Sequence, residues 1–312
     1  MTQQKTAVLL LAHGSPESPA DVPAFMNYIT GGRPVPDAVI QEVAHRYSLI
    51  GKSPLTEITL AQGAALEREI GMRVYVGMRN WKPFIGEVVK QMIADGVENV
   101  LAICLAPQNS STSVGLYRKA LMAEMKPEIS VQFVDSWHDH PLLVGAFAER
   151  VETVWREAGR QSGGAVPVIF TAHSVPTRTI QAGDPYETQT KETARLVGQR
   201  VAGLSAELQM FAFQSQGMSG GPWLGPTVES ALIELKKQGH KGVVIAPIGF
   251  VCDHVEVLYD VDLGFRRFAS DQCLSFWRTE SLNTSPTFIS ALADLAATRL
   301  GLAARASRER AV

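Results

Sequence analysis

Hydrophobic residues fall in short β-branched runs separated by stretches of helical spacing, and the two patterns alternate from end to end. Runs near 6–13, 73–78, 98–106, 129–135, 166–172, 207–214, 242–249 and 272–278 read as strands. Between them, apolar residues at i, i+3 and i+4 spacing predict helices over 56–70, 82–95, 140–157, 187–203, 227–238 and 285–300. Alternation of this kind is the signature of an α/β protein with mainly parallel sheets. The strands divide evenly, four to each half. The string Glu157–Pro167, rich in Gly and polar residues, is the candidate linker. It gives an N-terminal lobe over 1–160 and a C-terminal lobe over 161–312.

The halves resemble one another. Val8 to Pro16 and Val168 to Pro176 are each an apolar run ending in Ala-His, then a turn with Ser and Pro. Gly96 to Tyr117 and Gly239 to Tyr259 each read Gly, strand, Ala-Pro, then a helix start containing Leu-Tyr. The pattern implies a pseudo-duplication, with His13 and His173 at strand ends facing a cleft between two lobes.

Composition narrows the class. The chain has 312 residues, 46% hydrophobic and 19% charged, with a formal net charge of −2. That balance gives no electrostatic case for nucleic acid or an anionic membrane. Cys104, Cys252 and Cys273 are odd in number and far apart, which argues against a disulfide framework or a Cys-rich zinc or iron–sulfur site. Ala7–Ala12 is too short for a signal segment, and no run approaches the ~20 apolar residues that span a bilayer. A cytoplasmic protein is the expectation. The chain closes on a polar tail, Ala304–Val312, expected to fray.

The densest candidate chemistry follows the apolar run Val243–Ile248. Asp253, His254, Glu256 and Asp260 fall where a buried strand should give way to a helix, the end of a parallel sheet at which ligands bind. Glu256 and Asp260, four apart, share a helix face. Two acids beside a histidine can hold a cation or pass protons; acids at a helix start also complement its dipole with no further role. His173, at a strand end before Ser174-Val175-Pro176, is either a structural histidine or a group at the mouth of the sheet. The loop Phe213–Pro226 is rich in Gly and Pro but has neither a Walker Lys nor a GxGxxG string, so nucleotide binding has little support. Its Trp223-Leu224 suits the wall of a flat hydrophobic ligand.

The strings AHSVP at 172–176, GDPY at 183–186, FQS at 213–215, PWLGP at 222–226 and PIGFVCDHVEVLYD at 247–260 resemble ferrochelatase motifs in order and spacing. LLLAHGSPES at 9–18, GGRPVPD at 31–37, RYSLIGKSPL at 46–55 and VGMRNWKPFI at 76–85 extend the resemblance across almost the whole chain. It implies two flavodoxin-like (Rossmann-type) lobes around a porphyrin cleft, and insertion of Fe²⁺ into the macrocycle in haem biosynthesis. His173 and Glu256 match the family's cleft pair. His173 would accept pyrrole protons, Glu256 would hold iron or relay protons, and Asp260 would continue an acidic row outward. The macrocycle would be bent to expose its nitrogen lone pairs. His13, Arg46, Ser53, Arg79, Tyr117 and Trp223 are the expected porphyrin contacts. Iron is then a substrate, with porphyrin the other and haem or coprohaem the product; no tightly bound cofactor and no iron–sulfur cluster are expected.

Some positions depart from the short Bacillus-type enzymes. His13 stands in place of a porphyrin-facing Tyr, and Asn80 in place of a His. Gly264 replaces a further acid, and Thr30-Gly31 precede Gly32-Arg33 where a doubled Arg is typical. His13-Gly14-Ser15 also resembles the opening of the small cobalt and sirohydrochlorin chelatases, which suggests His13 as an axial ligand or second proton acceptor. The short segment between Pro16 and Ser53, charged and Pro-containing rather than a long apolar lip, favours coproporphyrin III over protoporphyrin IX. The alternatives are a chelatase for another metal or tetrapyrrole, and a non-catalytic porphyrin or haem carrier on the same fold.

Overall fold

The structure, a computed structural model, describes residues 5–217 and 220–302; the polar tail Ala304–Val312 lies outside the described residues. The first sheet contains β1 (Thr6–Ala12), β2 (Val74–Met78), β3 (Asn99–Cys104) and β4 (Ser130–Val134), ordered β2-β1-β3-β4. The second contains β5 (Val168–His173), β6 (Gln209–Gln214), β7 (Gly242–Pro247) and β8 (Ser275–Arg278), ordered β6-β5-β7-β8. Every strand pair is parallel, and the repeated order is what a duplicated lobe requires. All eight expected strands are present, most trimmed by a few residues at an end. β1 buries six of its seven residues and β7 all six, because helices cover both faces of each sheet.

The helices are α1 (Val22–Thr30), α2 (Asp37–Ile50), α3 (Leu55–Ile70), α4 (Ile85–Ala94), α5 (Val114–Glu124), α6 (Pro141–Ser162), α7 (Thr177–Gln181), α8 (Tyr186–Arg200), α9 (Val228–Lys237), α10 (Arg266–Asp271) and α11 (Pro286–Leu300). The six helices expected from periodicity are α3, α4, α6, α8, α9 and α11. Helix α6 runs to Ser162, so the first half of the expected linker is helical, and the link shortens to the residues before Val168. The segment between Pro16 and Ser53 folds as α1 and α2 around a small cluster of its own, Val22, Met26 and Tyr47. These two helices escaped the periodicity because their apolar stripe covers only that small cluster.

Two helices are exchanged between the lobes. Helix α6, from the first half, packs on β7 and β8, while α11, from the end of the second, lies against α3 and β3. As a result the largest core is shared. Val8 and Leu10 of β1, Phe147 and Val151 of α6, Val168 and Phe170 of β5, and Phe288 and Leu292 of α11 belong to one apolar cluster. Separate clusters fill the outer layers, between the first sheet and α4/α5 and between the second sheet and α9/α10. In each sheet the chain switches direction around the central strand, so the crevices open at the carboxyl ends of β1/β3 and β5/β7.

Candidate active site

His173 ends β5, and Glu256 opens a ten-residue π-helix, Glu256–Phe265, beyond β7. Helices of this type are rare and concentrate at functional sites. His173 Nε2 lies 3.3 Å from Glu256 Oε1. The other ring nitrogen, Nδ1, donates to the Ser174 carbonyl. A histidine with an acceptor at each nitrogen must carry both protons, so this geometry holds the imidazolium. Burial works against the charge, but Glu256 and the Ser174 carbonyl outweigh it and raise the pKa to about 9. Burial likewise opposes the Glu256 carboxylate, and the charge and hydrogen bond of His173 overcome it, holding that carboxyl well below its ordinary range.

A second histidine completes the far side of the acid. His254 Nε2 is 3.4 Å from Glu256 Oε2, and its Nδ1 is 3.0 Å from the Cys252 carbonyl. The sequence grouped His254 with the two acids as a group that holds a cation or passes protons; its place two residues before Glu256, in the turn after β7, brings it onto that carboxylate. Gln214 Nε2 donates to the Glu256 carbonyl and Thr171 Oγ1 to Gln214 Oε1, which ties the π-helix start to the ends of β5 and β6.

Asp260 does not face this pair directly. Its carboxylate accepts from the Ser215 hydroxyl and lies 3.7 Å from Arg46 Nη1. Burial, and the neighbouring charge of Glu256, raise its pKa. Among the described residues no cluster of three or more His, Cys, Asp or Glu is set to hold a metal. Asp253 leaves the site altogether: its carboxylate accepts from Arg278, Ser281 and Asn283 at 3.2, 2.9 and 2.8 Å.

His13 follows β1 and opens onto the cleft from the other lobe. Its side chain is exposed, yet the surrounding protein and the charges of Arg79, His254 and His173 lower its pKa, with Glu256 opposing them. Asn80 Nδ2 lies 3.3 Å from the His13 ring, and Phe25 meets that ring edge-on at 6.1 Å. Gly14, at φ +84, admits the close approach of Trp81; a Cβ there would sit 2.7 Å from the Trp81 backbone nitrogen. On the second lobe, Trp223 stands 6.4 Å from the His173 ring, held by Leu224 N donating to the Val175 carbonyl and Ser174 Oγ to the Leu224 carbonyl.

The remaining expected contacts divide. Arg46 is paired with Glu42 and Asp260 and lies over the Tyr259 ring. Arg79 is half-buried with no ion-pair partner among the described residues, and burial lowers its pKa. The Ser53 hydroxyl is buried without a hydrogen-bond partner among the described residues. Tyr117 is 5% exposed within the outer apolar layer of the first lobe, its hydroxyl pushed up by burial. A hollow of ≈ 620 Å³ lies at the opposite, amino end of β1 and β2 beside Lys5, Arg73 and Asp95, whose polar groups already pair with one another or with neighbours.

The sequence model of the ferrochelatase family matches residues 5–300. A ferrochelatase of Acidobacterium capsulatum is 50% identical over 94% of both chains, and one of Deinococcus radiodurans 40% identical over 95% of this chain and 96% of its own. The coproporphyrin III ferrochelatase of Bacillus subtilis is 34% identical over 96% of this chain and all of its own. Among solved structures, SirB from Bacillus subtilis with Fe³⁺ superposes with a TM-score of 0.58 at 10% identity, covering 95% of this chain and 96% of its own. CbiX, the terminal enzyme for siroheme biosynthesis in denitrifying bacteria, gives 0.57 at 12%, covering 95% and 100%. Those two likenesses establish the duplicated α/β fold. No helix among the described residues is long and apolar enough to cross a membrane. With a family match over nearly the whole chain and half its residues shared with a relative, the protein belongs to the ferrochelatases, the metal chelatases of haem biosynthesis.

Proposed function

We propose that the protein inserts Fe²⁺ into coproporphyrin III in preference to protoporphyrin IX, releasing two protons per macrocycle. The observation that carries this reading is the His173–Glu256 pair at 3.3 Å, at the carboxyl ends of β5 and β7, with His13 facing it from the other lobe. A macrocycle lying between them presents its pyrrole N–H groups to His173 on one face and to His13 on the other. Iron at Glu256 replaces the imidazolium as the carboxylate's partner. His173 then gives up its proton and becomes the acceptor for a pyrrole proton. His13, neutral near pH 7, is free to accept the second proton or to ligate the metal from its own face.

The choice of coproporphyrin rests on the cleft rim. A substrate with four carboxylates needs cations and hydroxyls around its edge. Arg79, half-buried and without an ion-pair partner among the described residues, can supply one such cation, and the α1–α2 lip is amphipathic rather than wholly apolar. The Bacillus subtilis relative carries coproporphyrin III in its name, which supports the same direction.

The test is anaerobic metallation with Fe²⁺, offering coproporphyrin III, protoporphyrin IX and sirohydrochlorin separately and following the Soret and Q bands. Faster turnover of coproporphyrin III is expected. Faster turnover of protoporphyrin IX overturns the substrate assignment and keeps the chemistry. Metallation of sirohydrochlorin alone overturns both.

A further inference from the structure

Gln108 to Ser111, four consecutive residues after β3 in the first lobe, are held by the second lobe. Gln108 is buried, and its Nε2 donates to Thr193 Oγ1 at 3.1 Å and to the Ile248 carbonyl at 3.3 Å. The Asn109 backbone donates to Gln189 Oε1 at 2.7 Å. The Ser111 backbone and hydroxyl donate to Asp184 Oδ2 at 2.6 and 2.7 Å, and the Ser110 hydroxyl reaches the same oxygen at 3.2 Å. The other oxygen of Asp184 accepts from Tyr186 N at 3.1 Å, so one carboxylate joins the starts of α8 and of the segment leading into α5.

We infer that this clasp, closed by Asp184, sets the separation of the two lobes at the cleft, and that Asp184 is a positioning residue for porphyrin binding. One end of the clasp leads to the cleft: the Ile248 carbonyl held by Gln108 lies in the stretch that continues through His254 to Glu256. Hydrogen bonds to a charged acceptor are the stronger kind, and this acceptor takes three of them from the opposite lobe. Loss of the charge leaves the lobes joined by the apolar core but removes the restraint nearest the cleft. The inference rests on the porphyrin-cleft reading above for its kinetic consequence and on geometry alone for the lobe separation.

Two measurements test it. Spin labels on native Cys273, which is exposed, and on Lys90→Cys in α4 report the distance between the lobes. Asp184→Asn is expected to broaden or lengthen that distance distribution. The same variant, assayed at a temperature where it is fully folded, is expected to raise the porphyrin KM at least fivefold with kcat within twofold. Ser111→Ala should act in the same direction, and the double variant should be no worse than Asp184→Asn. Glu187→Gln, which removes an acid in the first turn of α8 that pairs with Lys191, should leave KM unchanged. An unchanged distance distribution in Asp184→Asn overturns the clasp. A changed distribution with wild-type KM overturns its role in porphyrin binding. Wild-type protein that metallates no porphyrin overturns the functional reading while leaving the distance measurement decisive for the clasp.

Discussion

His173 lies between two acceptors, Glu256 Oε1 at 3.3 Å from Nε2 and the Ser174 carbonyl at Nδ1, so its resting state is the imidazolium. A protonated ring cannot accept a pyrrole proton, and catalysis must first release it. Activity limited by His173 therefore rises with pH toward about 9, where the folded protein gives up that proton. In Glu256→Gln the main group holding the proton is gone, and the rise should move to lower pH. The check is metallation rate against pH at saturating porphyrin; a profile unmoved by Glu256→Gln rejects the coupling.

The same pair has a signature in stability. His173 is raised above its unfolded value of 6.5, so its contribution is complete below pH 6.5 and is lost as pH rises through about 9. Glu256 is lowered below 4.5, so its contribution is complete above that pH and is lost as pH falls through the folded value. Wild type should exceed Glu256→Gln in Tm most clearly between pH 4.5 and 6.5 and lose that margin toward pH 9. Thermal unfolding across this range gives the answer.

Truncation of His173 to Ala, or of Glu256 to Gln, should lower kcat by about 10²- to 10⁴-fold, the usual weight of a positioned proton-transfer group. Porphyrin binding, read from quenching of tryptophan fluorescence, should stay within a few-fold because the cleft walls are intact. A carrier protein would show the binding in both variants and turnover in neither wild type nor variant.

His13 has its pKa lowered and is neutral at pH 7 and above. With His13 as the ligand proposed above, His13→Ala should slow metallation and shift the Soret band of enzyme-bound product. A variant with wild-type rate and spectrum removes His13 from the reaction.

Gly14 supports that histidine sterically. In Gly14→Ala the new methyl group meets the Trp81 backbone at 2.7 Å, in a left-handed conformation that alone costs about 1–3 kcal/mol. A loss of at least that size is expected in chemical denaturation, together with a weaker His13→Ala effect on rate in the Gly14→Ala background, because the ring is already displaced.

Periodicity and motif order carried a great deal. The apolar runs ending at Ala12 and His173 specify strands buried on both faces, and the residue after a buried strand must emerge at a sheet end. That reasoning brought His13, His173 and Glu256 to the cleft, and the sequence motifs tied them to a chemistry. Tertiary structure decided what lies around them. His254 closes on Glu256 while Asp253, its neighbour in the chain, is drawn away by Arg278, Ser281 and Asn283. Arg46 is committed to Glu42 and Asp260, and Tyr117 is buried in an apolar layer. Helices α6 and α11 exchange lobes, and Asp184 reaches Ser111 across the interface. The difference has a physical cause. Burial and spacing are local properties that a run of residues expresses in its own pattern. The partner of a polar side chain is set by which distant segment packs beside it, and that choice belongs to the whole fold.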